Sequence, residues 1–172
     1  VMRDHGFAKR LVERAKAAQC SALVLTLDLQ ILGQRHADIR NGLSIPLKIK
    51  LSNLFDLLSK PSWCYQMART KNRTFGNVMG HVKDITNLNS LTKWVQDQFD
   101  TRLNWDDVKR IKDWWGGKLI IKGIMDPDDA KMAQKCGADA LVVSNHGGRQ
   151  LDGVNSSIST LPEIKKAVSN IE

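Results

Sequence analysis

The chain has 172 residues, with 26 Lys and Arg against 18 Asp and Glu, giving a net charge of +8. Its 42% hydrophobic and 26% charged residues form an ordinary globular mixture, which excludes wholesale disorder. No run approaches the ~20 apolar residues of a membrane-spanning helix.

The opening residues Val1 to Gly6 lack the basic-then-apolar order of a signal peptide. A chain that starts without methionine is expected to begin inside a longer one. Gly6 to Cys20 reads as an amphipathic helix, with Phe7, Leu11, Ala15 and Ala18 at three- and four-residue spacing opposite Lys9, Arg10, Glu13 and Lys16. Ser21 to Asp28 is a continuous apolar run ending in polar residues, the pattern of a strand buried on both faces.

A long irregular stretch follows from Leu29 to about Leu103, punctuated by Pro46 and Pro61, with a short helix expected over Leu51 to Leu58. Residues 43–103 are read as a loop insertion, too long for an ordinary connection and therefore functional or partly mobile. Between Leu47 and Lys83, seven basic residues (Lys48, Lys50, Lys60, Arg69, Lys71, Arg73 and Lys83) stand against one acid, Asp56. They are interleaved with Leu54, Phe55, Trp63, Tyr65 and Phe75, a mixture suited to an anionic lipid surface or to nucleic acid. A solvated loop and helix is the plain alternative.

Regular alternation then returns. Asn104 or Asp106 caps a helix carrying Val108, Ile111 and Trp114 or Trp115, stopped by Gly116-Gly117. Lys118 to Gly123 is a second strand. Asp126-Pro127 opens a helix that Gly137 ends, and Ala140 to Ser144 is a third strand. Ser159 or Thr160 with Pro162 opens the last helix. Buried strands alternating with helices imply a parallel α/β sheet, either doubly wound or part of a (β/α)8 barrel. A barrel needs ~250 residues, so on that reading the chain is a central fragment. Cys20, Cys64 and Cys136 form no Cys-x-x-Cys pair, so buried thiols in a reducing compartment are expected, without a metal site.

Polar groups gather at the strand ends. Thr26 and Asp28 end the first strand, Lys122 the second, and Ser144, Asn145 and His146 the third. Parallel strands deliver all these ends to one face, where α/β proteins build their sites. His146 beside Arg149 suits a general base acting on an anionic substrate, with Asp28 as the carboxylate fixing its tautomer. Lys122 needs an anionic partner: a flavin, a phosphate, a Schiff base, or simply an acid across the sheet. Arg35, just past Asp28, offers a second cation for a carboxylate.

Ser144-Asn145-His146-Gly147-Gly148-Arg149-Gln150-Leu151-Asp152 resembles the active-site signature of the FMN-dependent (S)-2-hydroxy acid dehydrogenases and oxidases. Leu25 to Asp28, Gly33 to Arg35, Arg40-Asn41-Gly42 and Ile121-Lys122-Gly123 fit the same family in the same order. Lys60 to Cys64, Phe99-Asp100 and Asn104-Trp105 most resemble its bacterial quinone- or cytochrome-linked L-lactate dehydrogenase branch. Leu29-Gln30 stands where many members have Thr-Pro.

The resemblance implies a TIM barrel, of which this chain would be about strands four to six of eight, with FMN at its carboxyl face. Thr26, Lys122 and Ser144 would contact the flavin, His146 would be the base and Asp28 its partner, and Arg149 and Arg35 would hold the substrate carboxylate. L-Lactate would be oxidised to pyruvate and the electrons passed through FMN to a respiratory acceptor. The parent protein would be a homo-oligomer, peripheral on the cytoplasmic face of the inner membrane. The family's Gln-x-Tyr strand and its FMN-phosphate segments are expected outside these residues. Two other readings stand beside this one: an oxygen-using hydroxy acid oxidase, and a non-catalytic basic nucleic-acid-binding domain.

Overall fold

A computed structural model describes residues 3–29, 33, 35–42, 50–71, 75–78, 94, 97–98 and 101–172. The chain divides into two compact units, residues 1–34 with 98–172, and residues 35–97.

In the first unit, α1 (His5–Ala17) starts at Asp4, whose carboxylate accepts the Phe7 N–H at 2.8 Å. The helix buries Phe7 and Val12 rather than the wider stripe expected, and it ends before Cys20. Strands β1 (Ala22–Thr26), β2 (Lys118–Ile124) and β3 (Ala140–Val143) form one parallel sheet in the order β1-β2-β3. Between β1 and β2 in this unit, α5 (Trp105–Trp115) is capped by Asn104, whose carboxamide oxygen accepts the Asp106 and Asp107 N–H groups. Asp107 answers by accepting the Asn104 N–H, closing a capping box. Gly116, at φ +67°, stops the helix in the left-handed conformation that glycine adopts without steric cost. Helix α6 (Pro127–Lys135) opens on the Asp126 cap with proline in its first turn.

The last helix, α7 (Ser157–Ala167), starts earlier than expected. Ser156 accepts the Ser159 N–H at 3.2 Å, and this cap places Pro162 inside the helix instead of at its start. Proline there removes one helical donor, which the other backbone bonds and the burial of Thr160 and Ile164 outweigh.

The expectation of strands buried on both faces is corrected. Leu23, Leu25, Leu119, Ile121, Leu141 and Val143 pack on one side against Val108, Ile111, Ala130, Ala133 and Ile164 of the helices. Leu119 and Ile121 are fully buried, each contributing ~1.5–3 kcal/mol to that core. The opposite face leaves Val24 53% and Val142 40% exposed. Successive residues alternate across a sheet, so the register Thr26–Lys122–Val142 puts Thr26 and Lys122 on this open face. A sheet with helices on one side only is a barrel-wall arrangement, whereas a doubly wound sheet carries them on both.

Among the cysteines only Cys136 is buried; Cys20 is exposed and Cys64 intermediate, and all three are free. Burial pushes the Cys136 thiol up, leaving it unreactive.

The second unit contains α2 (His36–Arg40), α3 (Leu51–Leu58) and α4 (Pro61–Arg69). The expected helix at Leu51 is present, but a region read as otherwise irregular also carries α2 and α4. Proline at the first position of α4 is compatible with a helix start, so Pro61 opens an element where it was read as punctuation. Leu51, Phe55 and Leu58 of α3, and Trp63 and Tyr65 of α4, are exposed. Lys48, Arg73 and Lys83 lie outside the described residues. No helix among the described residues is long and apolar enough to cross a membrane.

Candidate active site

The carboxyl ends of the three strands bring the site residues of the first unit together. Leu27 extends the pairing of β1 by donating its N–H to the Lys122 carbonyl at 2.9 Å, which sets Asp28 above the end of β2. The pairing of β2 with β3 breaks at a bulge between Lys122 and Ile124. Gly123 sits in that bulge at φ +101°, and a Cβ there would come within 2.8 Å of Asp28 Cβ and Cγ. Only glycine leaves both the backbone conformation and the space that Asp28 occupies.

After β3 the chain turns sharply over His146–Gly148. Asn145 organises the turn: its Oδ1 accepts the Gly148 N–H at 3.2 Å, and its Nδ2 donates to the Asn155 carbonyl at 3.1 Å. The His146 N–H donates to Ser144 Oγ at 3.1 Å, and the residue is held at φ +60°. This geometry turns its ring toward β1, where Nδ1 lies 3.0 Å from Asp28 Oδ1. A carboxylate at Nδ1 fixes the proton on that nitrogen and leaves the Nε2 lone pair free to accept one.

The other oxygen, Asp28 Oδ2, is buried and makes no hydrogen bond; Lys122 Nζ stands 3.9 Å from it. Lys122 thus has an acid partner, one of the alternatives its position allowed, and its side chain remains 30% exposed on the open face of the sheet. Arg149 follows the turn and is exposed, and Ser144 is half-buried. Arg35 caps α2 in the second unit. Beside the Asp28–His146 pair runs an open cleft of about 280 Å³, lined on its polar side by Asp28, Ser144, Asn145 and Gln150. Leu27, Met125, Leu151 and Val154 form its apolar side.

These donors fit a flavin. An ammonium group and the Thr26 hydroxyl stand in one register row, with the Ser144 hydroxyl at the next strand end. A cation with adjacent neutral donors complements the electron-rich N1–C2=O edge of an isoalloxazine.

The profile of the FMN-dependent dehydrogenase family matches residues 1–172. The chain belongs to this family. Its relatives include the L-lactate dehydrogenases of Haemophilus influenzae (strain PittEE), 44% identical over 169 residues, and of Acinetobacter baylyi, 41% identical over 169 residues. Each alignment covers 98% of this chain and 44% of the relative, so the chain spans less than half the length of the curated relatives it matches. Among solved structures, the monotopic membrane protein (S)-mandelate dehydrogenase superposes with a TM-score of 0.87 at 28% identity, over 97% of this chain and 44% of that one. A mandelate oxidase superposes at 0.68 with 30% identity, over 99% and 42%. The family description names FMN as the cofactor of its members.

Three contributors to the site were not singled out from sequence. Gly123, Gly33 and Gln150 all stand inside the motifs that carry the family resemblance, and the two glycines marked the positions where backbone approach is tightest.

Proposed function

We propose that the protein carrying this chain oxidises L-lactate to pyruvate, with His146 as the base. The observation that carries this reading is the 3.0 Å contact between His146 Nδ1 and Asp28 Oδ1 at the sheet's carboxyl end. Nε2 of His146 accepts a proton from the substrate, either from the α-hydroxyl or from Cα, and the Asp28 carboxylate stabilises the imidazolium that results. Arg149 and Arg35 hold the substrate carboxylate, orienting the Cα–H bond and excluding esters and amides. Thr26, Lys122 and Ser144 would hold the flavin ring. When bound, FMN supplies the two-electron oxidant. The chain is read as about strands four to six of an eight-stranded barrel, with residues 43–103 as an insertion.

The final acceptor assigned is a respiratory quinone or cytochrome. The L-lactate dehydrogenase relatives support the dehydrogenase reading; the likeness to a mandelate oxidase keeps oxygen as the alternative acceptor. Anaerobic mixing of the full-length flavoprotein with L-lactate should bleach its visible absorbance, and admission of air should restore it only slowly. Fast return of colour overturns the dehydrogenase assignment in favour of an oxidase, and absence of bleaching overturns the substrate.

A peripheral membrane location is supported by the exposed Leu51, Phe55, Leu58, Trp63 and Tyr65 beside Lys50, Lys60, Arg69 and Lys71, and the cytoplasmic face is the side assigned with it. Apolar side chains flanked by cations suit insertion at an anionic headgroup layer. The full-length protein is read as a homo-oligomer.

A further inference from the structure

The turn that carries His146 and Arg149 also carries Gln150, and Gln150 reaches back across the site. Its Nε2 donates to the backbone carbonyl of Asp28 at 3.0 Å, a half-buried bond spanning 122 positions of sequence. On its other side lies Gly33. A Cβ built on Gly33 would run into the Arg149 carbonyl oxygen and come within 2.8 Å of Gln150 Oε1 and 2.9 Å of Gln150 Cα. Gly33 therefore lies flush against the Arg149–Gln150 backbone, and its lack of a side chain lets it do so. Asp28 is gripped at two places: its carboxylate by His146, and its main chain by Gln150.

We infer that Gln150 is a positioning residue for the His146–Asp28 pair, clamping the Asp28 carbonyl so that the carboxylate stays on His146 Nδ1. This inference rests on the base assignment above and extends it. The carboxylate–imidazole contact depends on two loops that no regular element joins, since β1 ends at Thr26 and β3 at Val143. The Leu27–Lys122 backbone bond fixes only the residue before Asp28. Gln150 supplies the direct tie between the loops, and Gly123 and Gly33 clear the space on either side. A base displaced by about an ångström loses roughly 10- to 100-fold in rate, so a tie of this kind acts on turnover more than on substrate binding.

The test uses the full-length flavoprotein. Gln150→Met keeps the side-chain length and removes the donor. It should lower kcat about 10-fold or more while KM for L-lactate stays within about twofold. The imidazole of His146 faces Asp28 from β1, with Lys122 behind Asp28 on β2 and Arg149 on its own turn.

Gln150→Glu serves as the second variant. Ionised, its carboxylate faces the Asp28 carbonyl without a donor; protonated, it donates. Its turnover relative to the parent protein should therefore climb as pH falls through the carboxyl titration. Wild-type kcat in Gln150→Met, or a pH-independent ratio near one in Gln150→Glu, overturns the clamp while His146→Gln stays impaired. Wild-type turnover in His146→Gln itself overturns the base assignment, and the clamp with it.

Discussion

His146 and Asp28 meet at 3.0 Å across 118 positions of sequence, joining the end of the third strand to the end of the first. The contact sets the tautomer of the imidazole, so the base and its partner should fail together. In the full-length protein, His146→Gln should lose ~10²–10⁴-fold in turnover with L-lactate, and Asp28→Asn should fall in the same direction. Flavin content, read from absorbance, should be unchanged in His146→Gln. Near-normal flavin reduction in that variant would contradict the base role.

Arg149 presents an exposed guanidinium just past the turn that carries His146. A planar fork binds a carboxylate through two parallel bonds, which an ammonium cannot do. Arg149→Lys should weaken L-lactate binding and slow turnover together, and the same is expected of Arg35→Lys. Steady-state kinetics with L-lactate and its methyl ester provides the check: an ester that reacts as well as the acid is incompatible with the clamp.

Asp139 ties the start of β2 to α5. Its Oδ2 accepts from Lys112 Nζ at 2.7 Å and from the Leu119 N–H at 2.8 Å, and these two bonds hold its carboxyl below the usual carboxylate range. A depressed folded-state value means the stabilisation is complete above the unfolded carboxyl value of about 4 and is lost as pH falls through the folded value. The side chain is 42% exposed, so solvent screens the pair and Asp139→Asn should cost only about 1 kcal/mol at neutral pH. Thermal melts should show the variant and the parent converging as pH falls below the folded carboxyl value. A gap that persists there would assign the effect to packing.

The exposed apolar residues of α3 and α4 should direct the full-length protein to anionic vesicles, with binding that falls as salt rises. Phe55→Ser combined with Trp63→Ser should weaken sedimentation with phosphatidylglycerol vesicles at every salt concentration. Equal binding to neutral vesicles throughout would leave Lys50, Lys60, Arg69 and Lys71 without a role at the membrane.

The 172 residues expressed alone should not retain FMN. Thr26 and Lys122 stand on the sheet face that leaves Val24 and Val142 exposed, so water screens the charge that would hold the flavin. Absorbance after desalting is the readout. A yellow chain bleached by L-lactate would contradict this expectation.

The site was readable in sequence where a local rule spoke for it. Thr26, Lys122 and Ser144 end apolar runs in polar groups, and Asn104 and Asp126 announce their helices as caps. Helix α4 was not readable, because Pro61 marks a break and a helix start equally well. Two-sided burial was inferred from runs such as Leu119–Ile121, whose composition is the same whether the second face meets helices or other strands. The Gln150–Asp28 bond had no local signature at all: it depends on two loops meeting through the tertiary fold.

His146 sits at φ +60°, a region that glycine occupies freely, asparagine and aspartate with modest strain, and β-branched residues hardly at all. The backbone thus filters which codons can stand at the base position, independently of chemistry. Replacement by asparagine or glycine removes the imidazole and leaves the turn relaxed, whereas β-branched valine would strain it. If His146 has the proposed role, a lineage drifting away from that reaction would be expected to pass through Asn or Gly at this position, keeping the turn intact.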